Sequence, residues 1–141
     1  MAHVRTLVVS DGQVLLVEHH DPHDDVTFWM PPGGGSEEDE TLEDAARREV
    51  KEETGVEVKV LRQVPVPAER GYVLFEAQLV GAPDVTPEIE PCRQEIHTIG
   101  AAWHRVTVDA PLGPMEHAYW GELVPLIRAL LSREPGAPSR P

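Results

Sequence analysis

The stretch from Gly34 to Val56 constrains the fold more than any other part of this 141-residue chain. Two prolines and a run of glycines lead into it, which indicates a tight loop. Thr41 can cap a helix, and Asp44 three residues later can reach back as in a capping box. Gly55 is typical of the position just beyond a helix C-terminus. The stretch therefore predicts a loop, a helix without internal proline or glycine, and a defined stop.

The charges of this helix point towards a chemical role. At about 100° per residue, four apolar side chains form one stripe: they are Leu42, Ala45, Ala46 and Val50. Glu49 and Glu53 project near the middle of that stripe, and Glu52 lies on its flank. Burying unpaired carboxylates is costly, so their placement calls for compensating positive charge, for which a divalent cation is the obvious candidate. The alternative is a charged surface helix, with Arg48 paired to Glu52 and Glu43 to Arg47.

The full spacing resembles the Nudix box. Nine specified positions match over 23 residues: Gly34, Glu40, Arg48, Glu49, Val50, Glu52, Glu53, Gly55 and Val56. The segment Trp29–Gly34 also looks like the strand and loop that precede the box in that family. One departure is Asp39, where many relatives have glycine before the glutamate.

The resemblance implies an α/β fold, an α/β/α sandwich with a mixed sheet packed between helices. It also implies hydrolysis of a nucleoside diphosphate linked to another group, with Mg²⁺ or Mn²⁺ as the cofactor. Carried over position by position, the expected metal ligands are Glu49, Glu52, Glu53 and the carbonyl of Gly34. Glu40 and Arg48 are the expected pair that fixes the loop against the helix. Oxygen ligands of this kind suit both cations.

The catalytic base stays open at this point. Water attacking a phosphorus must give its proton to a carboxylate. Glu53 and Glu52 are candidates from the helix. Glu95 is the first choice from the proline-rich loop that follows, and Glu90 the second. A solvated acid on a loop is the alternative for the last two.

Three residues are candidate substrate contacts: Tyr72, Trp29 and Arg70. Tyr72 stands sixteen residues after Val56. In the family, a tyrosine at about that spacing is associated with dinucleoside polyphosphates, whereas a proline near it goes with ADP-ribose. This favours a nucleoside or dinucleoside polyphosphate, with ADP-ribose or another nucleotide sugar as the alternative. Tyr72 and Trp29 could instead serve packing alone, and Arg70 could simply be solvated.

Composition agrees with a small enzyme. The formal charge of −13 argues against a nucleic-acid polymer as partner, although a small phosphorylated nucleotide is compatible because a cation screens the local field. One cysteine, Cys92, excludes an internal disulfide, and nothing resembles a signal peptide or spanning helix. We therefore expect a cytoplasmic monomer or homodimer without membrane contact, with one domain over residues 1–131 and a disordered tail over 132–141. A non-catalytic nucleotide-sensing domain and an acidic interaction protein are the alternatives of another class.

The remaining pattern predicts the other elements. Asp11 and Gly12 between two apolar runs indicate a hairpin. The polar stretch His19–Asp25 reads as a solvated loop rather than a histidine metal cluster, because no helix places His19 and His23 on one face. The predicted strands are Val4–Val9, Val14–Glu18, Phe28–Met30, Val56–Val60, Gly71–Val80 and Ile99–Val106. A last helix is predicted over Met115–Leu131, interrupted at Gly121 and Pro125.

Overall fold

The computed structural model describes residues 2–87, 96–105 and 120–133. Its strands are β1 His3–Ser10, β2 Gln13–Asp21, β3 Val26–Met30, β4 Gly33–Gly35, β5 Val58–Val64, β6 Val73–Leu79 and β7 His97–Arg105. Its helices are α1 Leu42–Thr54 and α2 Trp120–Ser132, with one 3-10 turn at Ala68–Arg70. The strands form a mixed sheet in the order β3-β2-β1-β6-β5, with β4 paired to β1 and β7 paired to β2. Among the strands of the described residues, β1 and β6 are the one parallel pair.

The two helices cover opposite faces of this sheet. Alternation along β1 sends Val4 and Val8 to the face that α1 covers, and Leu7 to the face that α2 covers. The α1 face is completed by Ala45, Ala46, Val50, Phe75 and Ala77. The α2 face is completed by Leu16, Leu74, Leu123, Ile127 and Leu130. The predicted α/β/α sandwich with a mixed sheet is therefore confirmed.

Both ends of α1 carry the caps that the sequence predicts. The Thr41 hydroxyl accepts a hydrogen bond of 3.1 Å from the Asp44 N–H. Gly55 adopts the left-handed conformation at φ 78° and donates its N–H to the Lys51 carbonyl at 2.8 Å. The Asp44 carboxylate lies 3.8 Å from the Arg47 guanidinium rather than reaching back to Thr41, so the second half of the predicted capping box is not formed. The caps fix where the helix begins and ends, and thereby the direction of each glutamate.

The first hairpin also follows its sequence signal. Ser10 pairs with Gln13, and the two residues between them, Asp11 and Gly12, both have positive φ values of 51° and 74°. That is the turn whose twist matches two adjoining strands. Asp39 has a positive φ as well, at 67°. The loop thus has at Asp39 a conformation that glycine adopts most easily.

Several predicted boundaries differ from the structure. His19, His20 and Asp21 continue β2 rather than starting a loop, because β2 has β3 on one side and β7 on the other to satisfy its backbone. β3 begins two residues earlier than predicted, β5 begins two residues later and ends four residues later, and β6 is shorter at both ends. α2 runs through Gly121 and Pro125 as one helix, so the predicted interruption is wrong, although Pro125 lacks the N–H of one helical hydrogen bond. Ser132 is the last residue of that helix, not the first of a tail.

The segment after β6 is irregular but anchored. The N–H of Thr86 donates to the Thr54 carbonyl at 2.8 Å, at the end of α1. The indole N–H of Trp103 donates to the Pro83 carbonyl at 2.8 Å. These bonds tie the segment to the helix and to β7. The helix start at 115–119 and the tail at 134–141 fall outside the described residues.

Candidate active site

Glu53 is the most deeply buried acid of α1, with 8% of its surface exposed. Its Oε1 accepts a hydrogen bond of 2.8 Å from the N–H of Gly33, in the loop before the helix. Its Oε2 accepts a bond of 3.0 Å from the hydroxyl of Thr98 on β7. Loop and sheet together hold this carboxylate in one orientation.

His19 on β2 and Thr98 on β7 lie beside Glu53 because these two strands pair. The register between these strands shifts between Glu18 and His19: Glu18 lies opposite Gly100, and His19 opposite Thr98. A shift of this kind re-aims the side chains on either side of it. It brings the His19 Nε2 to 3.9 Å from the Glu53 Oε2. The imidazole is buried, and the ring of Phe28 packs on it at 5.6 Å.

Arg48 ties the other acids to the glycine loop, the short segment around β4 (Gly33–Gly35) that precedes α1. Its Nε and Nη2 donate to the two oxygens of Glu40 at 2.8 and 3.0 Å, and Nη2 also donates to the Gly35 carbonyl at 2.9 Å. Its Nη1 donates to Glu49 at 3.0 Å and to Glu52 at 3.3 Å. The expected supporting pair Glu40–Arg48 is therefore in contact, and the i,i+4 pair with Glu52 is formed as well.

Gly34 lies directly against Glu49. A Cβ atom on Gly34 would come within 2.6 Å of the Glu49 carboxylate, and one on Gly33 would meet the Val4 carbonyl at 2.0 Å. The two glycines are needed for these close approaches, not for special dihedral angles, since neither has a positive φ.

Burial dominates the electrostatics of the site. It raises the pKa of Glu53 to about 7, against the smaller opposing effects of the Gly33 N–H and the Arg5 guanidinium. It also raises the pKa of Glu49 above its ordinary value, although Arg48 acts in the other direction. Burial lowers the pKa of His19 to about 4, helped by repulsion from Arg5, while the backbone of His97 opposes this more weakly. Two acids thus resist ionisation in the metal-free protein.

Glu40 behaves in the opposite way. Its hydrogen bonds with the Arg48 guanidinium lower the pKa of this carboxyl to about 2, and the same pairing raises the pKa of Arg48. Glu40 therefore stays ionised at any neutral pH. Arg48 already neutralises this charge and binds both carboxylate oxygens, so Glu40 is not a candidate metal ligand.

The acids face a cleft of about 230 Å³. Its lining residues are His19, Gly33, Glu49, Glu52, Glu53, Ile96, His97 and Thr98. Glu52 is the most accessible of the three acids, with 53% of its side chain exposed. Within residues 2–87, 96–105 and 120–133, no three acidic or histidine side chains already converge on one point. Glu49 and Glu53 are instead held by their hydrogen-bond partners.

The donor set nevertheless fits a divalent cation. Three carboxylates border one cleft, and burial raises the pKa values of two of them, Glu49 and Glu53, because it disfavours the charged form. Cations of the Mg²⁺ and Mn²⁺ type prefer carboxylate and carbonyl oxygens. The Gly34 carbonyl belongs to the loop that Arg48 holds beside these acids. The predicted ligand set thus lies in one place, although its coordination of a metal stays a prediction.

The predicted substrate contacts lie elsewhere. Tyr72 packs against the core cluster on the α2 face and lines a separate cleft of about 400 Å³ beside β1 and β6. Trp29 pairs with Glu18 and packs its ring edge-on against His104 at 4.4 Å. Arg70 ends the 3-10 turn. None of the three lines the carboxylate cleft, so for Tyr72 and Trp29 the structure favours the packing alternative. Glu90 and Glu95 fall outside the described residues.

Sequence reasoning missed two residues beside Glu53. The polar sequence around His19 and His23 predicts a solvated loop for both residues. His19 is instead buried in β2, whereas His23 is exposed. Thr98 lies on β7, five strands further along the chain than His19, and it carries no motif. For His19 the local signal is its alternation with Val17 on one face of β2. Nothing in the local sequence marks Thr98.

The chain is similar to known proteins over most of its length. A family model described as NUDIX domain matches residues 2–122. A NUDIX hydrolase structure from Nitrosomonas europaea aligns with TM-score 0.67 and 24% identity, over 98% of this chain and 74% of that one. An ADP-ribose pyrophosphatase from Streptococcus suis aligns with TM-score 0.62 and 22% identity, over 94% and 93%. An Ap4A hydrolase from C. elegans aligns with TM-score 0.60 and 21% identity, over 93% and 97%.

At these identities the structural likeness concerns the fold alone. No curated protein matches the chain. Neither α1 nor α2, the helices in the described ranges, has the length and apolar content that crossing a bilayer requires.

Proposed function

The chain belongs to the Nudix family, and from that premise we propose that it hydrolyses the pyrophosphate link of a small nucleotide with the help of Mg²⁺ or Mn²⁺. The observation that carries this proposal is the setting of Glu53. An acid with 8% exposure, a pKa raised to about 7 and two fixed donors borders the same cleft as Glu49 and Glu52. Family membership and the complete set of box acids support a pyrophosphohydrolase rather than a fold relative that has lost activity.

The proposed metal ligands are Glu49, Glu52, Glu53 and the Gly34 carbonyl. A cation held there would polarise the pyrophosphate oxygens, lower the pKa of the attacking water and offset charge that builds up in the transition state. Arg48 keeps the loop and the helix acids in register through its contacts to Glu40 and the Gly35 carbonyl. Gly33 and Thr98 hold Glu53 in one orientation.

The proton of the attacking water must go to a carboxylate, and Glu52 is the best placed of those described. Both oxygens of Glu53 already accept hydrogen bonds, and Glu49 is bonded to Arg48. Glu52 is half exposed at the mouth of the cleft and contacts Arg48 through one oxygen. Glu95 stays the alternative base, from the segment between the described ranges.

For the substrate, a nucleoside or dinucleoside polyphosphate is the first candidate, because of the spacing of Tyr72 from the box. ADP-ribose or another nucleotide sugar is the second. Neighbours of the same fold carry the names Ap4A hydrolase, ADP-ribose pyrophosphatase and UDP-X diphosphatase, which makes both candidates worth assaying. The net charge of −13 disfavours a nucleic-acid polymer.

The deciding experiment is a panel of nucleoside polyphosphates, dinucleoside polyphosphates, ADP-ribose and nucleotide sugars, assayed for product release with Mg²⁺, Mn²⁺ or EDTA. We expect cation-dependent hydrolysis that Glu53→Gln lowers by orders of magnitude. The control is Glu57→Gln, an exposed glutamate just beyond the helix. Near-normal activity in Glu53→Gln would contradict the assignment of the metal site. Faster hydrolysis of ADP-ribose than of any polyphosphate would replace the first substrate by the second.

Tyr72→Ala separates the two roles of that residue in the same assay. Loss of a stacking contact would raise KM for a dinucleoside polyphosphate more than it lowers kcat. Loss of packing alone would lower the melting temperature and leave KM unchanged, which is the outcome that its position on the α2 face favours. A nucleotide-sensing domain without catalysis would bind members of the panel and release no product.

A further inference from the structure

His19 lines the carboxylate cleft, and the proposed function gives it no role. Its side chain is 10% exposed, and its Nε2 makes no hydrogen bond. Buried polar atoms are nearly always paired, and an exception calls for an explanation. The imidazole lines the same cleft as Glu49, Glu52 and Glu53, so the unpaired nitrogen faces the place where the proposed cation would bind.

The distance to Glu53 suits two ligands of one ion. Donor atoms about 2.1 Å from a shared cation lie roughly 3 to 4 Å apart, depending on the angle at the metal. The His19 Nε2 and the Glu53 Oε2 are 3.9 Å apart. Each atom keeps capacity for a metal: the nitrogen makes no hydrogen bond, and the carboxylate oxygen accepts one, from Thr98.

The surroundings hold the ring in this direction. Phe28 packs on it with the two planes tilted by 32°. His19 pairs with Phe28 on one side of β2 and with Thr98 on the other. The strand register that places Thr98 on Glu53 therefore also places His19. A histidine kept only for packing would have no need to aim an unpaired nitrogen at an acid.

We propose that His19 is a nitrogen ligand of the cation in the carboxylate cleft, and that it biases this site towards Mn²⁺ over Mg²⁺. The inference rests on the proposed function, since it adds a ligand to the proposed metal site. Both cations take oxygen ligands, but Mn²⁺, as the first member of the transition-metal series, also accepts a nitrogen donor, whereas Mg²⁺ keeps to oxygen ligands and retains its water. An imidazole among carboxylates thus adds binding energy for Mn²⁺ and little for Mg²⁺.

Pulsed EPR of the protein loaded with Mn²⁺ alone tests this without an activity assay. We expect the spin-echo signal of wild type to carry modulation from a bound ¹⁴N nucleus. His19→Gln should remove that modulation and raise the Kd for Mn²⁺ at least about tenfold, the scale on which residues around a metal tune its affinity. The Kd for Mg²⁺ should change much less.

Two other histidines serve as controls. His104→Gln alters a histidine on β7 whose Nε2 is also buried and unpaired but which does not line the cleft, so the modulation should persist. His97→Gln alters the other histidine of the cleft. Persistence of the nitrogen signal in His97→Gln also assigns it to His19 if His19→Gln fails to fold.

The outcomes distinguish the inference from the function on which it rests. Tight Mn²⁺ binding without ¹⁴N modulation in wild type overturns the role of His19 and leaves the carboxylate site standing. Modulation that survives in His19→Gln and vanishes in His97→Gln also overturns it. Absence of any Mn²⁺ binding overturns the metal site and the histidine ligand together.

Discussion

The carboxylate of Glu49 lies 2.6 Å from the point that a Cβ atom on Gly34 would occupy. This contact joins the loop to the helix. It also brings together two proposed ligands of the cation, the Gly34 carbonyl and the Glu49 carboxylate. Because the clash involves the far end of a flexible side chain, a methyl group there moves the carboxylate and spares the fold.

We therefore expect Gly34→Ala to lower kcat/KM by about 100-fold, the scale reported for misplacement of about 1 Å in an active site. The melting temperature should change little. The matched control is Gly100→Ala on β7, where a Cβ would lie 3.7 Å from Glu18, an ordinary contact. Equal activity of the two variants would show that the position of Glu49 is not critical.

Arg48→Lys tests the link between the acids and the loop. A lysine cannot reproduce the paired bonds to Glu40 and the Gly35 carbonyl, since it lacks the planar fork. We expect metal affinity, measured by titration calorimetry, to fall about 10- to 100-fold. Arg47→Lys on the exposed side of the helix is the control and should bind metal as wild type does. Unchanged affinity in Arg48→Lys would leave Arg48 with a role in helix stability only.

Asp39→Gly should make the protein more stable. Asp39 has φ 67°, a conformation that costs an L-residue energy and glycine nothing. We expect a gain of roughly 0.5–1 kcal/mol in the free energy of unfolding, measured by urea titration. Glu38→Gly next to it is the control, because its φ is not positive and glycine there only adds chain entropy to the unfolded state. A loss of stability in both variants would mean that the Asp39 side chain itself holds the loop.

The raised pKa of Glu53 predicts how stability depends on pH. The unfolded carboxyl loses its proton near its ordinary pKa of 4.5, whereas the folded one keeps it to about 7. Folding therefore takes up a proton between these values, so the metal-free protein loses stability as pH rises through this window. Relative to Glu53→Gln, wild type in EDTA should lose on the order of 3 kcal/mol between pH 4.5 and pH 8. Parallel pH curves for the two proteins would rule out the shift.

Metal binding should reverse this loss at pH 8. A cation that binds only the folded state at 100 times its Kd adds about 2.7 kcal/mol, which is visible as a rise in melting temperature. The rise should appear with Mn²⁺ in wild type and be abolished by EDTA. In Glu53→Gln it should be much smaller. A melting point indifferent to saturating Mg²⁺ and Mn²⁺ would count against the site.

The parts that could be predicted from sequence are those that local signals determine. Thr41 and Gly55 act through hydrogen bonds within four residues, so they mark the ends of α1 without knowledge of the rest. Asp11 and Gly12 do the same for the hairpin. The inward direction of Glu53 follows from helical geometry alone.

The parts that could not be predicted depend on pairing between distant strands. Thr98 reaches Glu53 across 45 positions of the chain, and only the register of β2 with β7 decides this. His19 sits in a polar stretch whose composition indicates a loop, but strands on both sides turn it into an inner strand. Tyr72 has the spacing of a substrate contact, yet it lies just before β6 and packs against the core cluster on the α2 face.

The caps of α1 also limit which insertions and deletions the helix can tolerate. Thr41 fixes the start of the helix and Gly55, bonded to Lys51, fixes its end. A deletion or insertion of one residue between them would turn everything on one side of the change by about 100° and carry Glu53 away from Gly33 and Thr98. Insertions at exposed turns such as His23 to Asp25 meet no such restriction. We expect the interval from Thr41 to Gly55 to keep its length wherever the activity is kept, while the turns around it vary freely.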